Sequence, residues 1–302
     1  MAVNGDAPRS IISASLNADI PADCGAWFMR RLDEGYCLLP RREGLQFRRV
    51  SLAPEAVAGF VFWTRSIGNF GRELEEIARR GFAFVVQFAI TGYRARFDPS
   101  PIEVAHAVEQ ARSVALRFGE RVLVWRYDPL IIADETTADW HVANFEHIAG
   151  ALRGATDEVV VAFATRASSP MRAPRHRRVS SVQSPRRRLL GTLAPIAKRN
   201  GLRLSVCADP DALVPGCGPA RCIDAERLKG LSGLDVAVPT TGFRPGCLCA
   251  RAIDVGDRPG PAKPFFCGAR RRVARGYASA SEAMLYPMML RFPCPSGEDL
   301  PF

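Results

Sequence analysis

The sequence predicts an α/β fold, and three observations carry this prediction. Short runs rich in β-branched and aromatic residues alternate with stretches of helical periodicity from residue 11 to about residue 230, as expected for parallel strands joined by crossover helices. Six such strand–helix units fit into this part of the chain. No Gly-x-Gly-x-x-Gly follows a predicted strand, which disfavours an open dinucleotide-binding sheet. We therefore expect a complete or partial (β/α) barrel of the TIM type, followed by an irregular, cysteine-containing C-terminal segment.

The predicted strands are short apolar runs, and a helix candidate follows each of them. They occupy residues 11–15, 59–64, 82–90, 122–127, 158–163 and 202–207. In a barrel of parallel strands, the loops after the strands surround a common mouth, whereas the opposite end serves stability. Polar side chains at the ends of these runs are therefore the candidates for function.

The clearest helix spans residues 101–118. Ser100 is placed to cap it, Pro101 occupies the first helical position, Glu103 completes a capping box and Gly119 ends it. Its apolar residues form one stripe, which predicts a side that faces the core. Two further helices share this spacing: one carries Phe145, Ile148, Ala149 and Leu152, and the other carries Phe70, Leu74, Ile77 and Ala78.

Two segments depart from the alternating pattern. Residues 164–188 are rich in Arg, Ser and Pro, and residues 256–302 are rich in Gly, Pro and Arg. We therefore expect a barrel-like domain over residues 1–240, interrupted by an irregular loop at 164–188, and a partly irregular segment over residues 241–302. The helix after the loop contains Pro195, which predicts a kink unless the helix begins nearby.

The net charge of +10 is concentrated in two tracts. Residues 166–188 hold eight arginines and residues 263–275 hold five basic residues, with no acid in either tract, so the rest of the chain carries −3. Binding of nucleic acid through these arginine-rich tracts is one interpretation. A solvated loop is the other interpretation, and it is the more usual one for a run of charge.

Neither a membrane span nor a secretion signal is expected. The longest apolar runs, 56–63 and 82–90, are less than half of the roughly 20 residues that a membrane helix needs. Residues 1–19 lack the basic start and the apolar stretch of a signal peptide. We therefore expect a cytoplasmic protein without a membrane partner, whose nine cysteines are thiols or metal ligands rather than disulfides.

Polar residues at the strand ends are the candidates for binding a small-molecule substrate. Arg126 can clamp a carboxylate or phosphate, and Asp128 can orient it or accept a proton; an internal ion pair between the two is the alternative. Asp19 is a site carboxylate or the cap of the helix that follows. Thr64 and Gln87 are the candidates for contact with a cofactor.

Cysteines concentrate in the last third of the sequence. Cys247 and Cys249, separated by one residue, offer two thiolates from one loop, and soft thiolates suit zinc or an iron–sulfur cluster. With Cys222 and Cys267 they form the candidate metal site. Cys207 ends a predicted strand, where a cysteine more commonly serves as a small apolar residue.

Blocks of these residues, taken together, resemble a known family. The blocks cover residues 11–256 and are Ile11-Ile12-Ser13-Ala14-Ser15, Asp19-Ile20-Pro21, Val61-Phe62-Trp63-Thr64, Val124-Trp125-Arg126-Tyr127-Asp128-Pro129, Ala220-Arg221-Cys222-Ile223-Asp224, Cys247-Leu248-Cys249 and Ile253-Asp254-Val255-Gly256. In this order they resemble the uncharacterised bacterial family catalogued as domain of unknown function 1848.

The resemblance implies a barrel whose cysteine-rich end is similar to the Cys-x3-Cys-x2-Cys-Tyr-Ala loop of radical S-adenosylmethionine enzymes. It therefore implies a [4Fe-4S] cluster and S-adenosylmethionine as cofactors. This chain departs from that pattern, because Cys267 is followed by Gly-Ala-Arg-Arg-Arg-Val-Ala-Arg-Gly before Tyr277 and Ala278. Two of the expected thiolates are missing.

Three functional interpretations follow from the sequence. The first is an iron–sulfur enzyme of the radical S-adenosylmethionine kind, with Cys222, Cys247, Cys249 and Cys267 as ligands and an unidentified substrate. The second is a nucleic-acid-associated protein of the repair type, which grips phosphates with the arginine-rich tracts. The third is a degraded or inactive relative that keeps the barrel and binds zinc or no metal.

Overall fold

The computed structural model describes residues 9–15, 18–40, 47–98, 101–164, 184–236, 238–240, 242 and 245–256. Three features of the sequence lie outside these residues: the predicted metal ligand Cys267, most of the arginine-rich tract at 166–188, and the C-terminal segment beyond residue 256.

Eight strands form one parallel sheet, which confirms the predicted α/β class. The order follows the chain, except that the last strand lies beside the first. In spatial order the strands are β10 (Ala252–Asp254), β1 (Ser10–Ala14), β4 (Val57–Thr64), β5 (Phe84–Ala89), β6 (Leu123–Leu130), β7 (Glu158–Phe163), β8 (Arg203–Val206) and β9 (Cys217–Pro219). A separate antiparallel hairpin joins β2 (Tyr36–Pro40) to β3 (Phe47–Ser51).

A closed barrel, one of the two predicted forms, is not found within the described part of the chain. There the sheet ends at β9 on one side and at β10 on the other, and no ladder joins these two strands. Both strands are only three residues long. Strand β9 also ends in Pro219, which has no N–H group to extend a ladder.

Helices connect the strands. The described α-helices are α1 (Ile20–Asp23), α2 (Gly25–Glu34), α3 (Gly71–Arg79), α4 (Val104–Phe118), α5 (Ala138–Ala151), α6 (Pro185–Arg199) and α7 (Ala225–Ser232). Buried residues of α1 to α6 pack against one face of the sheet, whereas Leu228 of α7 belongs to the buried cluster on the other face. Among these helices, none combines the length and the apolar character needed to cross a membrane.

Helix α4 starts later than predicted. Its first residue is Val104, and Glu103 caps it in an extended conformation without a side-chain capping bond, so the predicted capping box is wrong. The C-terminal end is as predicted, because Gly119 adopts a φ of +88° after Phe118. Such a positive φ favours glycine.

Helix α6 begins inside the segment predicted to be irregular. Ser184 caps it by accepting a hydrogen bond of 3.3 Å from the Arg187 amide, and Pro185 takes the first helical position. The irregular stretch therefore ends before residue 184 rather than at residue 188. Pro195 lies within the helix on its exposed side.

The two faces of the sheet have different surroundings. Since successive side chains of a strand point to opposite faces, Trp125 faces outward, where its ring stacks on Phe145 of α5 with 4.9 Å between centroids. Its neighbour Val124 faces inward. The inward apolar side chains of β1, β4, β5, β6 and β7 belong to one buried cluster, which also holds Cys207 and Cys222. Residues at the carboxyl ends of these strands therefore share one interior.

Candidate functional site

The centre of the candidate site is the buried side chain of Arg126, on the inner face of β6. Its guanidinium pairs with Asp128, donates to the Cys222 Sγ atom at 2.9 Å and lies 3.5 Å from the Gln87 Oε1 atom. Burial acts to lower the pKa of Arg126, but the charges of Asp128, Cys222 and Cys207 outweigh it and raise the pKa above its ordinary value. Arg126 is therefore a permanent positive charge inside the protein.

The structure contains the internal ion pair between Arg126 and Asp128 that the sequence analysis gave as the alternative to a substrate clamp. The side chains of Arg126 and Asp128 are 0% and 1% exposed. A charge pair buried this completely requires further hydrogen bonds to offset its lost hydration. Gln87 contributes to them and also donates from Nε2 to the backbone oxygen of Cys222 at 2.7 Å, so it ties β5 to the segment after β9.

Two cysteines meet beside Arg126. Cys207 follows β8, Cys222 follows β9, and their Sγ atoms are 3.7 Å apart. The other two candidate thiols, Cys247 and Cys249, belong to the same buried cluster. Ala250, next to Cys249, donates its amide to the Ile223 oxygen at 2.9 Å. This bond brings the Cys-Leu-Cys loop alongside the segment that carries Cys222.

The four predicted metal ligands are only partly brought together. Cys222, Cys247 and Cys249 share the inner cluster, whereas Cys267 lies outside the described residues. Among the residues that are described, no three His, Cys, Asp or Glu side chains are arranged to hold a metal ion. The ligand set therefore stays a prediction.

A chain of polar contacts extends from Arg126 across the interior to the first and last strands. The Arg126 guanidinium lies 5.5 Å from the ring centroid of Trp63. The Trp63 indole donates to the Ser13 hydroxyl at 3.2 Å, and Ser13 donates to Asp254 at 2.8 Å. Ser15 donates to the other oxygen of Asp254 at 2.5 Å. The contacts link β10, β1, β4 and β6 by their carboxyl ends.

Asp19 lies in the loop after β1, at the same edge of the sheet. One carboxylate oxygen accepts from the Ala22 amide at 3.0 Å and caps α1, while the other accepts from the Arg65 amide at 3.2 Å. Burial raises the pKa of Asp19 to about 6, although hydrogen bonds from Thr64, Ala22 and Arg65 act against this rise. Asp19 is thus both a helix cap and a carboxyl group that titrates near neutral pH.

Thr64, the other predicted cofactor contact, hydrogen-bonds to the local backbone and to Asp19. Its hydroxyl donates to the Ser66 oxygen at 2.8 Å and accepts from the Ser66 amide at 3.0 Å. Beside it, Arg65 forms an ion pair with the buried Asp98, with one bond of 2.8 Å. Sequence reasoning missed Asp98, since it follows a turn and no strand or helix pattern marks it.

A second buried polar group, on the helix-covered face, involves His141. Its Nδ1 atom is 2.9 Å from the Tyr127 hydroxyl, and its Nε2 atom is 2.9 Å from the Ile131 oxygen. Burial lowers the pKa of His141 to about 4, against the bond to Ile131, which raises it. The imidazole is therefore neutral and joins α5 to β6; no sequence pattern indicated this role.

The amino ends of the strands carry a network of a different kind. Glu158, at the start of β7, accepts from Arg203 at 2.6 Å, from Ser205 at 2.5 Å and from Arg227 of α7 at 2.7 Å. A cavity of about 280 Å³ also opens at this end, beside Arg9, Glu55 and other residues around β4. Because this end of parallel α/β folds serves stability, we assign no function to the cavity.

Comparison with protein families identifies a match over most of the chain. The model described as Domain of unknown function (DUF1848) matches residues 11–267. A search of curated proteins finds no match. The matched residues take in nearly the whole sheet and every contact described around Arg126, and on this basis the chain belongs to the DUF1848 family.

Proposed function

We propose that this protein is an enzyme that acts on a small molecule at the carboxyl end of the sheet. The observation that carries the proposal is the convergence on Arg126 of side chains that belong to separate strands. Arg126 on β6 contacts Cys222, which follows β9, although β7 and β8 lie between these strands in the sheet. Such a contact across the sheet supports a curved sheet that surrounds its inner face, as in a partial barrel. In folds of this type the active site lies at that end.

Asp19 is the group that we propose for proton transfer. It lies at the carboxyl end of the sheet, and its side chain is partly exposed. Burial raises its pKa to about 6, which allows it to give or take a proton near neutral pH. Arg126 and Asp128 are positioning residues in this proposal. The Arg126–Asp128 pair has no net charge, and its guanidinium holds the side chains of Gln87, Cys222 and Trp63 in position.

The experiment that tests this proposal is a thermal unfolding screen. Wild-type protein, Asp19→Asn and Asp134→Asn are heated with a panel of carboxylated, phosphorylated and neutral metabolites. We expect at least one compound to raise the unfolding temperature of the wild type and of Asp134→Asn, an exposed control, but not that of Asp19→Asn. A panel in which nothing stabilises the wild type, or in which Asp19→Asn responds equally, would contradict the proposal.

An iron–sulfur cofactor is the second candidate, favoured by the presence of Cys222, Cys247 and Cys249 in one buried cluster. The described residues fit it only in part, because no three of their metal-binding side chains are arranged around a common point. We therefore derive no chemical step from a [4Fe-4S] cluster or from S-adenosylmethionine. Iron and acid-labile sulfide in anaerobically purified protein would support the cluster, and zinc without iron would support the degraded, zinc-binding relative.

Nucleic acid is a less favoured partner. Of the arginines in the first tract, Arg186 pairs with Asp209, and Arg187 donates to the Asp211 oxygen at 3.1 Å. These two side chains are engaged within the chain rather than presented to phosphates. Substituting both, in the double variant Arg186→Gln and Arg187→Gln, should therefore leave any affinity for DNA unchanged; a large loss at low salt would revive the nucleic-acid proposal.

A further inference from the structure

The pair of thiols beside Arg126 has no role in the proposed function. Cys207 and Cys222 are 3% and 1% exposed, and their Sγ atoms are 3.7 Å apart. We propose that they form a reversible redox pair: a peroxide oxidises Cys222, and Cys207 then closes an internal disulfide. The inference concerns thiol chemistry at the inner face and stands whether or not Asp19 transfers protons.

The two sulfurs are close enough for this reaction. A disulfide bond is about 2.05 Å long, so the sulfurs of Cys207 and Cys222 must approach each other by less than 2 Å from their separation of 3.7 Å. Both cysteines follow neighbouring parallel strands at the same edge. A rotation of the two side chains within the interior can supply an approach of this size.

Arg126 identifies Cys222 as the sulfur that peroxide attacks. Its guanidinium donates to the Cys222 Sγ atom at 2.9 Å, and Asp128 holds that guanidinium in place. A sulfur that accepts a bond from a guanidinium is held in a fixed position, so we assign the attack on peroxide to Cys222 rather than to Cys207.

The reaction balances with peroxide as the only co-reactant. The Cys222 thiolate attacks one oxygen of hydrogen peroxide, so that an S–O bond forms, the O–O bond breaks and hydroxide leaves with the proton of the thiol as water. The Cys207 thiol then attacks the sulfur of this sulfenic acid, an S–S bond forms, the S–O bond breaks and a second water leaves. Two thiols lose two electrons and two protons, and one peroxide becomes two waters.

A metal ion held by the same two sulfurs is the rival explanation. Two sulfurs bound to one tetrahedral zinc at about 2.3 Å would be roughly 3.8 Å apart, so the separation alone does not distinguish the two. The described residues offer no third ligand in the required arrangement. The Arg126 guanidinium, which donates to the Cys222 Sγ atom at 2.9 Å, also occupies one side of the sulfur that a metal ion would need. The surroundings therefore favour thiol chemistry.

The test uses the reduced, chelator-washed full chain and a stoichiometric amount of hydrogen peroxide. We expect the wild type to lose the mass of two hydrogen atoms and to yield a peptide in which Cys207 is linked to Cys222, with dithiothreitol reversing both changes. In Cys207→Ser, dimedone should trap a sulfenic acid on Cys222. In Cys222→Ser, Cys207 should remain a thiol.

Two further variants separate the proposed chemistry from general reactivity. Cys37→Ser is the control, because burial raises the pKa of the Cys37 thiol to about 12; its rate of linkage should equal that of the wild type. Arg126→Lys keeps the charge but loses the fixed geometry, and we expect peroxide to react about tenfold more slowly, since one charge-assisted hydrogen bond is worth that much. Circular dichroism checks that the variant folds.

The proposal is overturned by either of two results. One is that alkylation after unfolding finds Cys207 and Cys222 both reduced in peroxide-treated wild type, or linked to other cysteines. The other is that the purified protein carries one zinc per chain, which Cys207→Ser loses. The cysteine variants decide the matter even if Arg126→Lys does not fold.

Discussion

At the residue scale, the sequence predicted contacts between neighbouring side chains but missed contacts between side chains that are distant along the chain. Arg126 and Asp128 were identified from their place at a strand end, and their ion pair was one of the two predicted arrangements. The pairing of Cys207 with Cys222 was missed, because the two are 15 residues apart and no local spacing signals their contact. His141 was missed for a similar reason: a helix pattern reveals that a position is buried but does not reveal its polar partners.

The titration of Asp19 gives a prediction about pH. The folded chain raises the pKa of Asp19 from 3.8 to about 6, mainly through burial, so the carboxyl ionises less readily in the folded state than in the unfolded state. The folded wild type should therefore lose stability as the pH rises from about 4 to 7, by up to about 3 kcal/mol. Asp19→Asn cannot ionise and should not show this loss.

Urea unfolding over that pH range measures the difference. Subtracting the two free energies of unfolding at each pH isolates Asp19 from other titrating groups. Asp134→Asn, an exposed position, should follow the wild type throughout. Parallel curves for the wild type and Asp19→Asn would show that Asp19 has an ordinary pKa.

At the scale of elements, apolar periodicity predicted the long strands and helices, and turn chemistry predicted their ends less well. The six predicted strands correspond to β1, β4, β5, β6, β7 and β8. The hairpin strands β2 and β3 and the end strands β9 and β10 were missed; the end strands have three residues each, too few to show a period. The start of α6 was missed because Ser184 and Pro185 lie at the end of an arginine-rich stretch whose composition resembles that of a loop.

Helix α6 allows a prediction about proline. Pro195 is inside the helix, where it cannot donate to the Gly191 oxygen one turn earlier and its ring crowds that oxygen. Because Pro195 is exposed, Pro195→Ala should restore this bond without disturbing the core and should raise the free energy of unfolding by about 1 to 3 kcal/mol.

Pro185→Ala is the matched control for this helix. Pro185 occupies the first helical position, where a missing N–H group costs little, so we expect a change within about 0.5 kcal/mol. Urea unfolding of both variants provides the comparison. If Pro195→Ala were no more stable than Pro185→Ala, then α6 would already accommodate its inner proline without loss.

At the scale of the whole molecule, the two ends of the sheet contain different kinds of polar network. The α/β class and the parallel sheet were predictable, because both follow from the alternation of patterns along the chain. Closure was not predictable, since it depends on whether two short end strands meet. The assembly of a network from residues as distant as Ser13 and Asp254 also depends on the completed fold rather than on any local pattern.

The network at the amino ends predicts acid sensitivity opposite in sign to that of Asp19. Burial acts to raise the pKa of Glu158, but bonds from Arg203 and Ser205 and the charge of Arg227 lower it below 4.5 overall. Its stabilisation is therefore complete above about pH 4.5 and is lost as the pH falls through the folded pKa. Glu158→Gln should cost about 2 kcal/mol at neutral pH, because Arg227 keeps its ion pair with Asp157 but loses the charge-assisted bond to its more deeply buried partner.

Unfolding measured at neutral and at acidic pH tests this expectation. The gap between the wild type and Glu158→Gln should narrow in acid. Glu146→Gln, which removes an exposed ion pair with Arg199, should cost less than about 1 kcal/mol at either pH. A gap that stayed constant down to acidic pH would mean that the charge of Glu158 does not stabilise the fold.

The distance along the chain between Arg126 and Cys222, 96 residues, has a consequence for synthesis on the ribosome. A nascent chain that ends at β7 already contains the arginine and its aspartate, but it lacks the thiols and the last strand. Enclosing the ionic pair with its hydrogen bonds incomplete would be costly, so we expect the interior to stay hydrated until the segment that carries Cys222 and the strand β10 have emerged. We therefore expect the interior around Arg126 to close late in synthesis, and the rate of translation sets when this happens.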